Sequence, residues 1–474
     1  MKKTILLTCA AAALLTGCSL IPDYDRPAAP VSQSWPQGPG YGTAAAAKPD
    51  APTPAETTWK KFFVDPALQG LIQQALDNNR DLKVAALNIE VARASYRITE
   101  SALAPNVSAG GSETIQRTPK ALSSTVPQQA VTTRRYAANL GVTSFELDLF
   151  GRLRSLDEQA LQKFLATEQA RTATQISLIA EVANAYLTLL GDRKLLTLTE
   201  ETLSTREKSL KLIERSFERG VGSQLDVAQA RSAVETARVA KARYLRQVEQ
   251  DKNALVLLVG SPVDEAKLPL SQDLDQVRFV EDIQVGLPSD VLLKRPDIIQ
   301  AEYQLKAANA NIGAARAAFF PTLSLTGTFG TASPTLDTLF QGNSGAWSFV
   351  PQISMPIFDA GKNFANLDSA KASRDIAVAQ YEKSIQSAFR EVADSLAAKG
   401  TLTDQMQAQA SLVAATQDSY RLSQARYDRG IDSYLTVLDS QRSLFGAQQD
   451  LVSVQVSRLT NMVTLYKVLG GGQI

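Results

Sequence analysis

An internal repeat is the feature that most constrains how this chain can fold. Two pairs of matching segments are offset by 216 residues, and two later pairs are offset by 210. The matching pairs are Asn79–Ala85 with Arg295–Ala301, Pro105–Ser108 with Pro321–Ser324, Glu181–Ala183 with Glu391–Ala393, and Arg219–Val221 with Arg429–Ile431. The second copy has therefore lost six residues between the second and third landmarks, where we expect a surface loop to have shortened. The chain is a tandem duplication whose unit reads helix, two strands, long helix, turn, helix.

Both cysteines of the chain lie in its first eighteen residues. A positive Met1–Lys3 and an apolar Ile5–Leu15 run precede Leu15-Thr16-Gly17-Cys18, which resembles a bacterial lipobox. The run is too short to span a bilayer and has the layout of a secretory signal. The resemblance implies removal of residues 1–17 and attachment of N-acyl and S-diacylglycerol chains to Cys18, which together make a lasting anchor in membrane lipid. The alternative is an ordinary signal peptide with a chance cysteine.

Composition argues against catalysis, metal binding and nucleic-acid binding. The chain has no histidine, and once Cys9 is removed with the leader no free thiol is expected. Zinc sites and Ser-His or Cys-His pairs need these residues, so we expect neither an enzyme nor a metal site, and no cofactor besides the lipid on Cys18. Lys and Arg (49) nearly equal Asp and Glu (48), so no electrostatic footprint for nucleic acid is present.

The landmarks divide the chain into a leader at residues 1–17, an extended strap rich in Pro, Ala and Gly at 18–58, repeat 1 at 59–260, a linker at 261–288, repeat 2 at 289–470 and a tail at 471–474. Proline stops and glycine turns predict long helices over Pro66–Leu103, Arg152–Arg219, Gln224–Val259, Pro296–Phe319 and Gly361–Arg429, with a last helix that ends near Leu469. Ile176, Ile179, Ala183, Tyr186 and Leu190 form a seam of coiled-coil spacing. We expect no apolar stretch after the leader to reach transmembrane length.

Period-two alternation predicts four strands, at about residues 105–117, 136–148, 321–330 and 347–358. In the third, Leu323, Leu325 and Phe329 alternate with Ser324 and Thr326. Strands near ten residues long with one apolar and one polar face are typical of an outer-membrane barrel, although a single such strand would also suit a soluble sandwich. Four strands cannot close a barrel, so the chain must assemble. Three copies would supply twelve strands and an open lumen.

Three segments carry a resemblance to a known family: Ser144–Arg152, Gly286–Asp297 and Ala314–Pro321. They resemble the TolC-type outer membrane factors, and within these the lipoprotein branch typified by OprM. The resemblance extends over essentially the whole chain. It implies a mixed α+β membrane protein with four barrel strands and long coiled-coil helices per protomer. A homotrimer would form a 12-stranded barrel in the Gram-negative outer membrane and a periplasmic helical barrel.

The two turns between the long helices are the candidate docking site for a partner. Glycine at Gly220, Gly222 and Gly430 suits a tight turn that needs positive φ. The resemblance adds that such tips contact a periplasmic adaptor, and the candidate docking residues are Gly220, Val221, Gly222, Ser223, Gly430, Ile431 and Ser433. Turn chemistry alone would also explain these residues.

The candidate gate lies just after the second turn. Leu435 and Asp439 are four residues apart and share one helix face. Threefold symmetry would make each a ring, and the resemblance places such rings at the periplasmic constriction, where three carboxylates would favour cations. The resemblance also assigns Tyr427 a hydrogen bond that holds the tip shut, with Asp226, Asp428 and Asp432 as weaker candidates. Asp432 stands where TolC has an arginine, so the bonding scheme differs in detail.

The function implied is a passive exit duct for drugs, solvents or other amphiphiles, fed by a periplasmic adaptor and an inner-membrane proton-driven pump of the resistance-nodulation-division class. One alternative keeps the fold but serves type I secretion or metal efflux; the low methionine count of four weighs against a metal duct. Another is a structural envelope lipoprotein that does not conduct.

Overall fold

The computed structural model describes residues 19–41, 57–124, 126–264, 274–280, 285 and 288–472. The predicted leader, the lipidation site at Cys18 and parts of the strap and linker lie outside these ranges. The described helices are α1 Trp59–Phe62, α2 Pro66–Asn78, α3 Arg80–Glu100, α4 Arg152–Glu218, α5 Gln224–Val259, α6 Pro288–Leu292, α7 Pro296–Ala317, α8 Lys362–Asp428 and α9 Tyr434–Val468. The strands are β1 Val107–Thr118, β2 Val131–Leu147, β3 Thr322–Ser333 and β4 Gly345–Ser354.

The chain divides into two compact units, each built from three segments. Within the described residues, the sheet unit draws on the segments 19–27, 89–167 and 301–381, and the helical unit draws on the segments 28–88, 168–300 and 382–472.

The sheet unit holds four antiparallel strands in the order β1-β2-β3-β4, with β1 and β4 at the edges. Alternate side chains point to opposite faces of a strand, so the register sorts the residues into two sets. The apolar face carries Val107, Ala109, Leu140, Val142, Leu323, Leu325, Phe329, Trp347, Phe349 and Ile353. The polar face carries Ser108, Asn139, Ser324, Thr326, Thr328, Ser348 and Gln352, among which the hydroxyls of Thr328 and Ser348 are 2.7 Å apart.

The six-residue difference between the copies falls mainly on the second strand of each pair. β2 has 17 residues and β4 has 10, whereas the loops that join the strands differ by one residue, and the segment between the second strand and the next helix is three residues longer in the second copy. The expectation of a shortened surface loop is therefore wrong. Part of the extra length of β2 forms a bulge between Val142 and Phe145, where Ser144 has φ +54°. The bulge lets the strand regain its partner with its apolar residues still on one face.

The helix predicted over Pro66–Leu103 is broken at Asn79, which has extended dihedral angles (φ −60°, ψ 133°). The break is stabilised by the buried Asn79 side chain. Its Oδ1 accepts from the backbone N–H of Leu82 at 2.9 Å, and its Nδ2 donates to the carbonyl of Leu258 at 2.8 Å. Because Leu258 lies in the last turn of α5, its carbonyl has no partner within its own helix. One asparagine thus caps α3 and ties it to the end of the helix that closes the repeat.

The second repeat makes the equivalent tie with a different residue. Arg295 stands at the position of Asn79, and Val468 at the position of Leu258, given the two offsets. The Arg295 Nη1 donates to the Val468 carbonyl at 2.9 Å, while its Nη2 contacts carboxylates of Asp297 at 2.7 Å and Glu391 at 2.8 Å. These two carboxylates raise the pKa of Arg295 against the opposing effect of burial, which is the largest single influence. In each copy, therefore, a side chain just before the first long helix binds a carbonyl at the end of the last helix, which joins α3 to α5 and α7 to α9.

The helical unit has its core around the predicted seam of α4. Ile176, Ile179, Ala183, Tyr186 and Leu190 are all buried. The Tyr186 hydroxyl donates to Asp65 at 2.9 Å, and Asp65 also caps α2. Burial, with the Asp65 charge in support, raises the pKa of Tyr186. An aromatic stack lies nearby, in which the rings of Phe62 and Tyr466 are parallel with centroids 3.9 Å apart.

One stretch departs from the expectation that no apolar run reaches transmembrane length. Helix α4 contains an 18-residue window with a mean hydropathy of 1.2, long and apolar enough to cross a membrane by composition alone. Of that window, 61% is buried against the rest of the chain. Its apolar residues are therefore accounted for by helix packing.

The described part of the strap, residues 19–41, contains no helix or strand. In the sheet unit it lies on α7, where Asn309 Nδ2 donates to the Pro22 carbonyl at 2.8 Å and Arg26 pairs with the largely buried Glu302 at 3.0 Å. In the helical unit the Trp35 ring stacks on Phe389 at 5.0 Å. The strap is thus held by specific contacts in each unit.

Candidate gate at the helical tips

The first tip is the turn between α4 and α5. Gly220 has φ +78°, and the N–H groups of Gly220 and Val221 donate to the carbonyls of Phe217 and Ser216. Glycine adopts this left-handed conformation without steric strain. Ser223 then starts α5 with a capping box, in which its Oγ accepts from the Asp226 N–H while the Asp226 carboxylate accepts from the Ser223 N–H. Asp226, a weaker gate candidate, is therefore engaged in capping.

The second tip, between α8 and α9, uses the same turn with a different brace. Gly430 has φ +76°, and its N–H donates to the Tyr427 carbonyl at 2.8 Å. Asp432 accepts two hydrogen bonds from Arg426, at 2.6 and 3.0 Å, and this guanidinium holds the pKa of Asp432 below its usual range. Ser433 begins α9 without a side-chain cap. Arg426 thus stabilises the second turn, whereas Ser223 and Asp226 stabilise the first.

Both tips expose apolar side chains. Val221 is 82% exposed and Ile431 is 58% exposed. One exposed apolar side chain at each tip is compatible with a contact surface, and it is equally common on an ordinary surface turn. The assignment of the tips as a docking site remains a prediction.

A small core joins the two helical hairpins close to the tips. One residue from each of α4 and α5 and two from α9 are buried together, namely Ile213, Ala230, Tyr434 and Val437. The Tyr427 ring packs beside Tyr434, with centroids 5.5 Å apart. Burial, followed by the charges of Asp226 and Asp428, raises the pKa of Tyr427. Tyr427 is therefore close enough to Asp226 of α5 and Asp428 of α8 for their charges to act on its hydroxyl.

Tyr427 is partly buried and packed against the core, while its predicted hydrogen bond to a neighbouring helix is not among the contacts of the described residues. Asp428 accepts from Gln424 of its own helix at 2.8 Å. The role of Tyr427 in holding the tip shut stays a prediction.

Leu435 and Asp439 lie on one exposed face of α9. Leu435 is 56% exposed, and the Asp439 carboxylate accepts from the Arg442 Nη2 at 2.6 Å. Both side chains of that pair are largely exposed. An exposed pair of this kind contributes about 0–1 kcal/mol, so Arg442 can leave Asp439 easily. The face is available for the predicted leucine and aspartate rings, which only an assembly would form.

Sequence reasoning missed Arg206, which is 5% exposed. It lies in α4, its Nη1 donates to the Ala233 carbonyl at 2.9 Å, and its guanidinium lies 5.6 Å from the centre of the Phe445 ring. Burial lowers its pKa, and Tyr434 and Tyr420 oppose that effect. No carboxylate pairs with it among the described residues. An arginine inside a helical pattern reads as a surface charge, so no sequence signal identified this contact between the hairpins.

One apolar and one polar face is the pattern of strands in an outer-membrane β-barrel, so the sheet favours the class of membrane-inserted barrel proteins, here combined with two long helical hairpins. Residues 71–261 and 287–471 match the family described as outer membrane efflux protein. The two matched ranges coincide closely with the two copies of the internal repeat.

Relatives and solved structures agree with that family. The chain is 55% identical over 474 residues to a toluene efflux pump outer membrane protein, TtgC of Pseudomonas putida, covering 100% of this chain and 96% of the relative. The antibiotic efflux pump outer membrane protein ArpC of Pseudomonas putida has the same identity and coverage. A membrane protein crystal structure from Pseudomonas aeruginosa superposes with a TM-score of 0.89 at 43% identity, covering 96% of this chain and 98% of that one. The open state of the MtrE outer membrane channel of Neisseria gonorrhoeae gives a TM-score of 0.85 at 38% identity, covering 96% and 98%.

The chain belongs to the outer membrane efflux protein family. It has the mixed α+β fold of outer membrane channels, and it is an outer membrane channel of an efflux system. The family resemblance predicted from the sequence is confirmed.

Proposed function

We propose that three copies of this chain close a 12-stranded barrel in the outer membrane and act as the passive exit duct of a resistance-nodulation-division efflux pump. The duct itself performs no chemistry. The observation that carries the proposal is the open four-stranded sheet with two unpaired edge strands and two faces of opposite polarity.

An open sheet of this kind is unsuited to lipid as a single copy. The edge strands β1 and β4 have unpaired N–H and carbonyl groups on one side, and each such group left without a partner in hydrocarbon costs several kcal/mol. Pairing β1 of one copy with β4 of the next satisfies both edges at once. Two copies would give eight strands, which side chains fill, whereas three give twelve and leave a lumen lined by the polar face.

Cysteine cross-linking tests this closure. We expect Ser112→Cys on β1, combined with a cysteine at Ser348, Val350 or Gln352 on β4, to give covalent dimers and trimers on oxidation; all four positions lie on the polar face. Within one copy β1 and β4 are three strand spacings apart, about 14 Å, too far for a disulfide. Ser112→Cys alone is the control. If every combination stays monomeric while single-channel recordings show conduction, another closure is needed.

We propose drugs and organic solvents as the substrates, because relatives at 55% identity are named for toluene and for antibiotic efflux. A host that lacks its own outer membrane efflux channel should regain toluene tolerance and antibiotic resistance when it expresses this chain with its pump. Failure to restore either, with normal amounts of protein in the outer membrane, would favour type I secretion or metal efflux instead.

We propose the exposed tips as the docking site for a periplasmic adaptor. Photo-crosslinkers in place of Ser223 and Ser433 should capture the adaptor in cells, whereas one at Ser411, exposed on α8 well away from the turns, should not. Capture of an adaptor of the secretion type would redirect the function. Capture by Ser411 alone would move the docking site away from the tips.

The lipid anchor on Cys18 is proposed on the lipobox alone. Intact-mass measurement of the protein purified from membranes should show loss of residues 1–17 and the mass of three acyl chains. Cys18→Ser should abolish the added mass, and an unmodified Cys18 in the wild-type protein would contradict the proposal.

A further inference from the structure

The sheet carries two arginines beyond the apolar band, at the end away from the helices. All four connections to helices, from α3 and α7 and to α4 and α8, are made at one end of the sheet, and both hairpin loops lie at the other. The proposed barrel, on which this inference rests, places the hairpin loops at the outer surface of the membrane, because the helices lie on the periplasmic side.

The register assigns Arg117 and Arg134 to the apolar face. Along β2 that face reads Val142, Leu140, Ala138, Tyr136, Arg134 toward the loop. Directly opposite on β1, Ile115 pairs with Arg134 and Arg117 pairs with Thr132. Arg135 takes the polar face instead. The change from aliphatic residues through tyrosine to arginine follows the order of hydrocarbon, interface and headgroup in a bilayer.

Distances along the strand agree with that order. Leu140 and Arg134 are six residues apart, about 20 Å along the strand, or about 15 Å in height at the usual barrel tilt. Arg117 and Arg134 are diagonal neighbours on adjacent strands, and such pairs have Cα atoms about 7–8 Å apart. Two guanidinium groups at this spacing can hold one phosphate between them, or one each on neighbouring phosphates.

Both arginines lie at the surface, and neither has an ion pair or hydrogen bond among the described residues. The nearest acidic residue on this face is Glu113, which stands opposite Tyr136 and diagonal to Arg134. Arg117 lies farther from it. One carboxylate for two guanidinium groups leaves a net positive charge at the membrane surface.

We propose that Arg117 and Arg134 bind the phosphate groups of the anionic glycolipid that forms the outer leaflet of the outer membrane. The occupant follows from position and charge, because a surface continuous with a lipid-facing apolar band meets lipid headgroups there. Lumen substrates pass along the other face of the sheet. The contact anchors the barrel against vertical movement in the membrane while the pump acts on its far end.

The test uses the full trimer, purified in a neutral detergent and titrated with the bisphosphorylated glycolipid from outer membranes. The readout is the thermal midpoint of trimer dissociation. We expect the lipid to raise that midpoint, and Arg117→Gln/Arg134→Gln to raise the half-maximal lipid concentration by about tenfold or more, since charge-assisted hydrogen bonds are lost. Arg135→Gln, one residue away on the polar face, is the matched control and should bind like the wild type.

Further comparisons identify the ligand. Glycolipid with its phosphates removed should stabilise the wild type no better than it stabilises the double variant, and inorganic phosphate at the same concentration should have no effect. Equal glycolipid binding by the wild type and the double variant would overturn the proposal, as would a larger loss from Arg135→Gln. A double variant that still forms conducting trimers separates failure of lipid binding from failure of the proposed channel.

Discussion

Replacing Asn79 tests the side-chain contacts that join the start of α3 to the end of α5 in the first repeat. Asn79→Ala removes the cap on the Leu82 N–H, worth about 1 kcal/mol, and leaves the carbonyl of Leu258 without its donor, worth about 1–3 kcal/mol when buried. The expected loss is about 2–4 kcal/mol of local stability. Asn79→Asp keeps an oxygen for the cap but cannot donate, so it isolates the second contribution.

Hydrogen exchange followed by mass spectrometry measures this loss locally. The amides of the first turn of α3 and the last turn of α5 should exchange about 30- to 1000-fold faster in Asn79→Ala, because 1.4 kcal/mol corresponds to a factor of ten. The control is Asn78→Ala, whose side chain donates to the Gln74 carbonyl of its own helix. Equal exchange in the two alanine variants would refute the reasoning, and so would faster exchange confined to α3.

Five further substitutions, with one control, test the tips and the helical unit. Asp439→Asn should reduce the cation preference of reconstituted channels, measured by reversal potential, and Arg442→Gln should increase it; no change in either would exclude a carboxylate ring. Gly430→Ala should destabilise the second tip by about 1–2 kcal/mol because of its positive φ, whereas Gly446→Ala, within α9 and with open space around it, should not lower the unfolding midpoint. Arg206→Met should leave the thermal midpoint of unfolding unchanged or raise it, because an apolar side chain of similar size replaces a buried cation that has no carboxylate partner among the described residues. A clear drop in the midpoint would show that the guanidinium stabilises the hairpins. Burial and the neighbouring Asp192 raise the pKa of Asp251 to about 7, so the folded chain binds this proton more tightly than the unfolded chain does. The free energy of unfolding should therefore fall as the pH rises from about 4 to about 7. Asp251→Asn should flatten that part of a plot of thermal midpoint against pH.

Several features could be predicted because their signals are local. Proline and glycine at helix ends placed α5 at Gln224–Val259, as observed, and placed both tips at Gly220 and Gly430. Alternation of apolar and polar residues identified all four strands, although β2 starts at Val131 rather than near residue 136. Local conformation and side-chain periodicity follow from neighbouring residues, so they can be read from the sequence.

The break at Asn79 could not be predicted in the same way. No proline or glycine marks it, and its donor bond reaches a carbonyl 179 residues away. The bulge at Ser144 likewise depends on pairing with β3, since Val142 and Phe145 oppose Gly327 and Leu325. Arg206 reads as a surface charge along α4, yet the packing of both hairpins buries it.

The sequence by itself therefore determined the duplication, the order of helices and strands, the turns at the tips and the family. The tertiary structure decided which residues fasten each repeat, which cation is buried between the hairpins, and that Arg117 and Arg134 share the apolar face while Arg135 does not. The reason is physical. Backbone conformation is set by neighbours along the chain, whereas burial, pairing and charge compensation are set by groups that only folding brings together.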